Sequence, residues 1–363
     1  MGLEGNWRLL DFETEDPRMS LAVGESVFRN KKAGLSPDTL YLWRTVKPVI
    51  LFPPGSRREL PESAKKGGVE SLRTLAVAGH ASFCDSGNIN FSIALDSRTL
   101  NPLIEGEYQP LRSEYRFLMD AFTEGLRGLG MEIKAKPDGI YTEVGNEIAT
   151  SQPAWLSDIL LFQGTVYVST ELKNIRFPPG RAVTSLTAEL GRSLLPEEII
   201  GILIQGFERK LNVTLEKSRL TGTERKLAEK LYDCKYSTDK WHFEGKAPFL
   251  SLTGETLVAL YVANPPTSKC RQLIDRVNKA ASSLMDEVKV VAWRRGLGTE
   301  QNPAELTPPV LVALAKANIL PAVIINGEVK FALEVPSENI LRAAIHNPDR
   351  FPDLSKSLHG LRR

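Results

Sequence analysis

The sequence predicts an α+β protein with a mixed sheet, built from more than one domain. Three observations predict it. Strand candidates outnumber helix candidates in the first half and do not alternate regularly with them. The pattern changes near Glu255, where a strand–helix–strand run begins. A chain of 363 residues also exceeds a typical single domain. With 42% hydrophobic and 25% charged residues, the composition is that of an ordinary globular protein. A formal net charge of +2 does not call for nucleic acid or a membrane surface as partner. The first residues are acidic and lack an apolar run of signal-peptide length. No segment approaches the roughly 18 apolar residues of a membrane span. Cys84, Cys234 and Cys270 are odd in number and far apart, which suits a reducing cytoplasm better than a disulfide scaffold.

The elements follow in order. Trp7–Asp11 reads as a short strand. Residues 20–29 carry Leu21, Ala22, Val27 and Phe28 at helical spacing. Residues 40–44 and 49–52 are β-rich runs broken by Pro48, Pro53 and Pro54. A strand over 88–94 and a helix over 113–129 come next, then strands near 139–144 and 165–169. Pro196 opens a helix. Its acidic first turn (Glu197, Glu198) and basic last turn (Arg209, Lys210) suit the helix dipole. A second amphipathic helix is expected over 223–233. Beyond Glu255 come a strand at 257–262, a helix at 271–285 and a strand at 288–293. A helix follows Pro308 and Pro309. Residues 320–329 read as strand, Asn326-Gly327 hairpin and strand. A last helix begins near Ser337.

The stretch with most chemistry is Gly79-His80-Ala81-Ser82-Phe83-Cys84-Asp85-Ser86-Gly87-Asn88-Ile89-Asn90-Phe91-Ser92-Ile93. Gly79 and Gly87 suit backbone conformations that a Cβ would oppose. Asp85 and Asn88 suit either a turn held by side-chain-to-backbone bonds or a ligand pocket. Cys84 reads as a small buried filler or a thiol nucleophile. His80 reads as a ligand contact or a base. The four histidines and three cysteines show no metal-ligand spacing.

This stretch resembles the ligand-binding segment of lipoate–protein ligases, R-R-x-S-G-G-G-A-V-x-H-D-x-G-N-x-N-F-S. Its second half, D-S-G-N-I-N-F-S, is intact. Three other stretches resemble the same family in the same order. M-S-L-A-V-G-E-S-V-F is similar to its first helix, L-Y-L-W-R to a following strand, and F-Q-G-T-V-Y-V-S-T-E-L-K to a late strand. The resemblance implies a biotin/lipoate ligase fold over residues 1–182. It also implies lipoate, ATP and Mg²⁺ as ligands, an acyl adenylate as intermediate, and a lipoyl carrier domain as acceptor. By position it nominates Arg73, Gly79, His80, Cys84, Asp85, Gly87, Asn88 and Gly145 for substrate binding.

Two departures touch the chemistry. The glycine run is Ala78-Gly79-His80, and the paired arginines fall near Thr74 and Leu75, with Arg73 one place early. The family's catalytic lysine lies in G-x-K-I-S-G-x-A, where it stabilises charge on the reacting phosphate. The matching stretch is Gly145-Asn146-Glu147-Ile148-Ala149-Thr150, so Glu147 takes the lysine position. At about 4 Å and an effective dielectric of 20, that swap changes the pair energy with a phosphate by roughly 8 kcal/mol before relaxation. Lys134, Lys136 or Lys173 would have to supply the charge instead.

Residues 183–250 resemble the ligase accessory domain, through Lys235-Tyr236-Ser237-Thr238-Asp239-Lys240-Trp241-His242-Phe243 and the family's K-Y-x-S-x-x-W-x-F. Lys235 is a candidate phosphate contact, or a lysine beside a small Trp–Tyr core. Residues 251–346 resemble a thioredoxin-like domain, followed by a tail at 347–363. Thr267 and Cys270 stand at its C-x-x-C positions, and the resemblance implies a cis peptide before Pro321. A helix start favours a thiolate at Cys270. Three functions follow as expectations. They are lipoyl attachment or transfer, a non-catalytic lipoyl- or partner-binding protein, and a thiol–disulfide protein acting through Cys270.

Overall fold

The chain falls into two units, Met1–Lys246 and Ala247–Arg363. The structure is a computed structural model and describes residues 7–11, 16–59, 69–104, 110–172, 177, 180–284, 287–297, 303 and 305–357.

Two long strands set the centre of the first unit. β6 (Asn88–Asp96) alternates Asn88, Asn90 and Ser92 with Ile89, Phe91 and Ile93. β10 (Ile159–Tyr167) alternates Gln163 and Thr165 with Phe162 and Val166. Successive side chains of a strand point to opposite faces. Antiparallel pairing sets Ser92 opposite Gln163 and Asn90 opposite Thr165. The pair therefore has one apolar and one polar face. β9 (Glu147–Leu156) extends the sheet beyond β10, followed by β8 (Gly139–Thr142) and β7 (Ile133–Lys136). On the other side stand β2 (Thr39–Trp43), β1 (Trp7–Asp11) and β11 (Leu215–Ser218). The eight strands run in the order β11-β1-β2-β6-β10-β9-β8-β7.

Helices α2 (Pro110–Leu126) and α4 (Pro196–Leu211) cover the apolar face. Phe122 lies 4.7 Å from Phe91 and 5.9 Å from Phe207 between ring centres. The polar face meets α1 (Pro17–Lys32), which starts at its Asp16 cap with Pro17 in the first turn. Where α1 crosses the sheet it carries Gly24, whose Cβ position lies 3.3 Å from Ser92 Oγ. A second, three-stranded sheet also lies on this side. Its β3 (Val49–Phe52) runs between β4 (Glu70–Arg73) and β5 (Ser82–Cys84). Helix α3 (Leu186–Leu190) leads into α4.

Several expectations need correction. The first helix is longer than 20–29 because Asp16 and Pro17 set its start. β10 begins at Ile159, not near 165, after a turn in which Ser157 has φ 57°. β4, β5, β7, β9 and β11 were not expected, since they are short or carry Ser, Glu, Lys, Ala and Pro, which give little β signal. Of residues 183–250, expected as an accessory domain, 183–246 lie within the same compact unit as the sheet. β11 hydrogen-bonds in parallel to β1, and α5 (Gly222–Leu231) buries Glu224 against Arg8. Two π-helical turns follow, Tyr232–Tyr236 and Lys240–Glu244.

The second unit holds a four-stranded sheet in the order β13-β12-β14-β15. β12 (Thr256–Val262) pairs in parallel with β13 (Val288–Arg294) and antiparallel with β14 (Ala322–Ile325). β15 (Glu328–Ala332) returns through Asn326 and Gly327, with φ 52° and 86°. That is the backbone a type I′ hairpin turn requires. Helices α6 (Ser268–Ala281) and α8 (Glu338–His346) share one core with the sheet, and α7 (Val310–Ala317) packs in another. The Leu320–Pro321 peptide is cis, as expected. Among the described residues no helix is long and apolar enough to cross a membrane.

Candidate functional site

The loop at 79–88 is held largely by its own atoms. Gly79 has φ 108°, and a Cβ there would come within 2.3 Å of Ser151 O. Gly87 packs so closely that a Cβ would lie 2.6 Å from the Ser169 carbonyl carbon. Both positions therefore require glycine. Asp85 accepts from Gly87 N at 2.8 Å and from Glu171 N at 3.0 Å. Asn88 Oδ1 accepts from Asp85 N at 2.6 Å, and its Nδ2 donates to Phe83 O at 3.3 Å. The retained D-S-G-N thus forms a side-chain-locked turn. Cys84 is buried and donates to Asn90 Oδ1 at 3.3 Å. Burial pushes its thiol up to about 12, so it is not a thiolate near neutral pH.

Glu147 is not a free carboxylate. It is 1% exposed. Arg181 donates to both of its oxygens, Nε to Oε2 at 2.8 Å and Nη2 to Oε1 at 3.0 Å. Arg181 Nη1 also donates to Ala81 O at 2.6 Å. The lysine position therefore carries a bidentate ion pair with no net charge. Gly145 lies in the preceding turn with φ 91° and open space around its Cβ position.

An open cavity of about 400 Å³ lies beside Gly79, lined by Ala78, Tyr115, Lys136, Asp138 and Ser151. His80 Nε2 stands 3.8 Å from Asp138 Oδ2, and the His80 ring holds that carboxyl below its ordinary value. Of the substitute cations, Lys136 lines this cavity, with Nζ 4.1 Å from the Tyr141 ring centre. Lys134 is exposed and lines a different cavity with Arg127 and Glu143. Lys173 lies outside the described residues.

The polar face of the sheet carries two cross-strand ladders. One runs Tyr41–Ser92–Gln163–Gln152, the other Trp43–Asn90–Thr165–Thr150. All eight residues are at most 6% exposed. Most of their polar atoms are satisfied. Gln163 Nε2 donates to Ser92 Oγ at 3.1 Å and Thr165 Oγ1 to Asn90 Oδ1 at 2.8 Å. Gln152 donates to His80 O at 2.8 Å and accepts from Thr74 Oγ1 at 3.0 Å. Trp43 Nε1, Asn90 Nδ2 and Gln163 Oε1 have no partner among the described residues. Each such buried group costs about 1–3 kcal/mol. A void of about 10 Å³ sits among Trp43, Gln152, Gln163 and Thr165. Sequence reasoning missed Arg181, Asp138 and these ladders. The ladders were signalled by the alternation of Asn88, Asn90 and Ser92. Arg181 had no signal.

Arg73 and Lys235 are committed elsewhere. Arg73 N donates to His242 Nδ1 at 3.0 Å, and its guanidinium lies 5.6 Å from the Trp241 ring centre. Lys235 is 6% exposed, 2.7 Å from Glu25 Oε2, and stacks 4.0 Å from the Trp241 ring centre. Burial pulls its ammonium below the ordinary value, against the attraction of Glu25. Lys235, the candidate phosphate contact, is thus held between Glu25 and the Trp241 ring.

In the second unit Cys270 sits in the first turn of α6. Its N–H donates to Thr267 Oγ1 at 3.2 Å, and that hydroxyl lies 3.2 Å from Sγ. Burial opposes ionisation of the thiol. The Thr267 hydroxyl, backbone hydrogen bonds at Ala263 and Thr267, and the Arg271 charge together hold it below its ordinary value.

No family profile matches the chain. It is 26% identical to lipoate–protein ligase A subunit 1 of Thermoplasma acidophilum, over 65% of this chain and 95% of that protein. It is 24% identical to the octanoyltransferase LipM of Symbiobacterium thermophilum, over 66% of this chain and 99% of the relative. A solved bi-partite lipoate protein ligase of Thermoplasma acidophilum, from a study with its E2 lipoyl domain, shares the fold. Its TM-score is 0.55 at 23% identity, over 66% of this chain and 96% of that one. Over about two thirds of its length, then, the chain resembles the lipoate–protein ligase family in sequence and in fold.

Proposed function

We propose that this protein handles lipoyl groups by binding lipoyl carrier domains and does not itself form the lipoyl adenylate. The observation that carries this is the bidentate Glu147–Arg181 pair. Where the resembled ligases place a lysine against the reacting phosphate, this chain places a buried pair of no net charge. The Cys84 thiol, pushed up to about 12 by burial, supplies no nucleophile in its place. The Glu147–Arg181 pair offers Mg-ATP no free cation at the position where the resembled ligases carry a lysine. A lipoyl carrier partner is supported by similarity to the Thermoplasma acidophilum ligase studied with its E2 lipoyl domain. A cytoplasmic location belongs to the same reading.

Native mass spectrometry with lipoate, Mg-ATP and a lipoyl domain tests it. The expected result is a complex with the lipoyl domain, without lipoyl adenylate or released pyrophosphate. Pyrophosphate release with an adenylate adduct would overturn it. Lys136, beside the Gly79 cavity, would then be the replacement cation, and Lys136→Ala should abolish turnover.

A second reading concerns the C-terminal unit, which we take as thioredoxin-like from its mixed β13-β12-β14-β15 order. Cys270 sits in the first turn of α6 beside the Thr267 hydroxyl, which favours its thiolate, but its side chain is buried, so thiol exchange with oxidised lipoamide requires that turn to open. In that step the Cys270 thiolate attacks one sulfur, the ring S–S bond breaks, and a mixed disulfide forms with the other sulfur as thiolate. Equal exchange rates for wild type and Cys270→Ser would sink it.

A further inference from the structure

The chamber beneath α1 has a chemical bias of its own. Its polar lining is Trp43, Thr74, Gln152, Gln163 and Thr165, and no lining residue among those described is charged. A carboxylate placed there would lose its hydration without gaining a counter-charge. Trp43 and Gln163 are 3% and 6% exposed. Yet the Trp43 indole N–H and Gln163 Oε1 have no partner among the described residues. Asn90, opposite Trp43 in its ladder, adds a third unpartnered group, the donor Nδ2.

Buried donors and acceptors in native proteins nearly always find partners. Two unpaired groups line one small void, and a third stands beside Trp43 on the neighbouring strand, which marks a place where something else supplies them. Two of them ask for an acceptor and one asks for a donor. A carboxamide offers both, a C=O and an N–H on neighbouring atoms. A carboxylate offers acceptors and an unwanted charge, and an alkyl chain offers neither.

We propose that this chamber recognises a neutral carboxamide, and that its ligand is the amide joining a lipoyl group to a carrier lysine, not free lipoate. The lipoyl identity rests on the carrier-binding function proposed above, whereas the preference for amide over acid does not. The void as it stands, about 10 Å³, holds roughly one water. Gln152 ties the 74–80 loop over it through His80 O and Thr74 Oγ1. Entry of the ligand requires that tie to open.

Isothermal titration calorimetry of the full chain with lipoamide, lipoate, octanamide and octanoate tests the proposal. Each amide should bind at least about tenfold more tightly than its acid at pH 7.5. Trp43→Phe and Gln163→Met should each weaken amide binding by about tenfold, the scale of one lost hydrogen bond in a buried site. A cooperative thermal transition confirms that each variant folds, and the four-ligand comparison on the native protein decides without them. Acids binding as tightly as amides, no binding of either amide, or unchanged binding by both folded variants would overturn it. If the amide preference fails while a lipoyl domain still binds, the chamber proposal falls and the carrier reading stands. If amides bind but no lipoyl domain does, the carrier reading falls alone.

Discussion

A lone carboxylate at position 147 would repel a phosphate, but Arg181 takes both of its oxygens. The chemistry of the position belongs to the pair, whose two halves depend on each other. Removing one charge from a buried pair leaves the other uncompensated, at about 3–5 kcal/mol, while replacing both with apolar groups is often neutral. Glu147→Gln should therefore lower stability by about 3–5 kcal/mol, and Glu147→Leu with Arg181→Met by much less. Urea denaturation of the single and double variants measures this, and a Glu147→Gln loss below about 1 kcal/mol would contradict the pairing. The sequence located Glu147 at the lysine position but could not show its partner, 34 residues away. An ion pair closed across a loop leaves no periodic trace. The Asp85–Asn88 turn was legible, because short polar side chains beside glycine carry their geometry in their spacing.

Among the elements, α1 and the turn at Tyr232–Tyr236 are joined by one carboxylate. Glu25, buried in the middle of α1, accepts from Lys235 at 2.7 Å and from Tyr236 Oη at 2.6 Å, and it pairs with Arg29. Burial alone would raise this carboxyl, but the Lys235 and Arg29 charges bring it down from 4.5 to about 2. A carboxyl lowered in the folded state stabilises the fold above its unfolded value. It loses that contribution as pH falls toward its folded value, here from about 4.5 to about 2. The contribution at neutral pH is about 3 kcal/mol. Glu25→Gln should thus cost about 3 kcal/mol at pH 7 and little at pH 2. Urea denaturation across that range decides it, and a cost independent of pH would remove Glu25 from this role. Neither this link nor the ladders could be read as contacts from sequence. The long helices and β6 could, since many residues repeat the same periodicity, whereas only the end of β10 was legible. The short edge strands β4, β5, β7 and β11 hold only three or four residues each, too few to display a period.

At the scale of the whole molecule, the sequence pattern changes near Glu255 and the compact units divide after Lys246. Residues 183–246 lie in one compact unit with 1–182, and the apolar face of the first sheet explains why. α4 buries Ile199, Leu203, Phe207 and Leu211 in the core that holds Phe91 and Phe122. β11 covers the edge of β1 that would otherwise expose unpaired N–H and C=O groups. A fragment ending at 182 would present that face to water, at about 25 cal/mol per Å² of apolar surface uncovered. Fragments 1–246 and 247–363 each retain their own sheets and core clusters. Both should show cooperative thermal unfolding and dispersed amide NMR spectra when expressed alone. Fragment 1–182 should aggregate or bind a hydrophobic dye without a cooperative transition. A monomeric, cooperatively folding 1–182 would mean that residues 183–246 dock onto a finished domain. Failure of 1–182 together with folding of 1–246 would mean that they complete it, and the ligase-like fold of this chain then ends at the linker after Lys246.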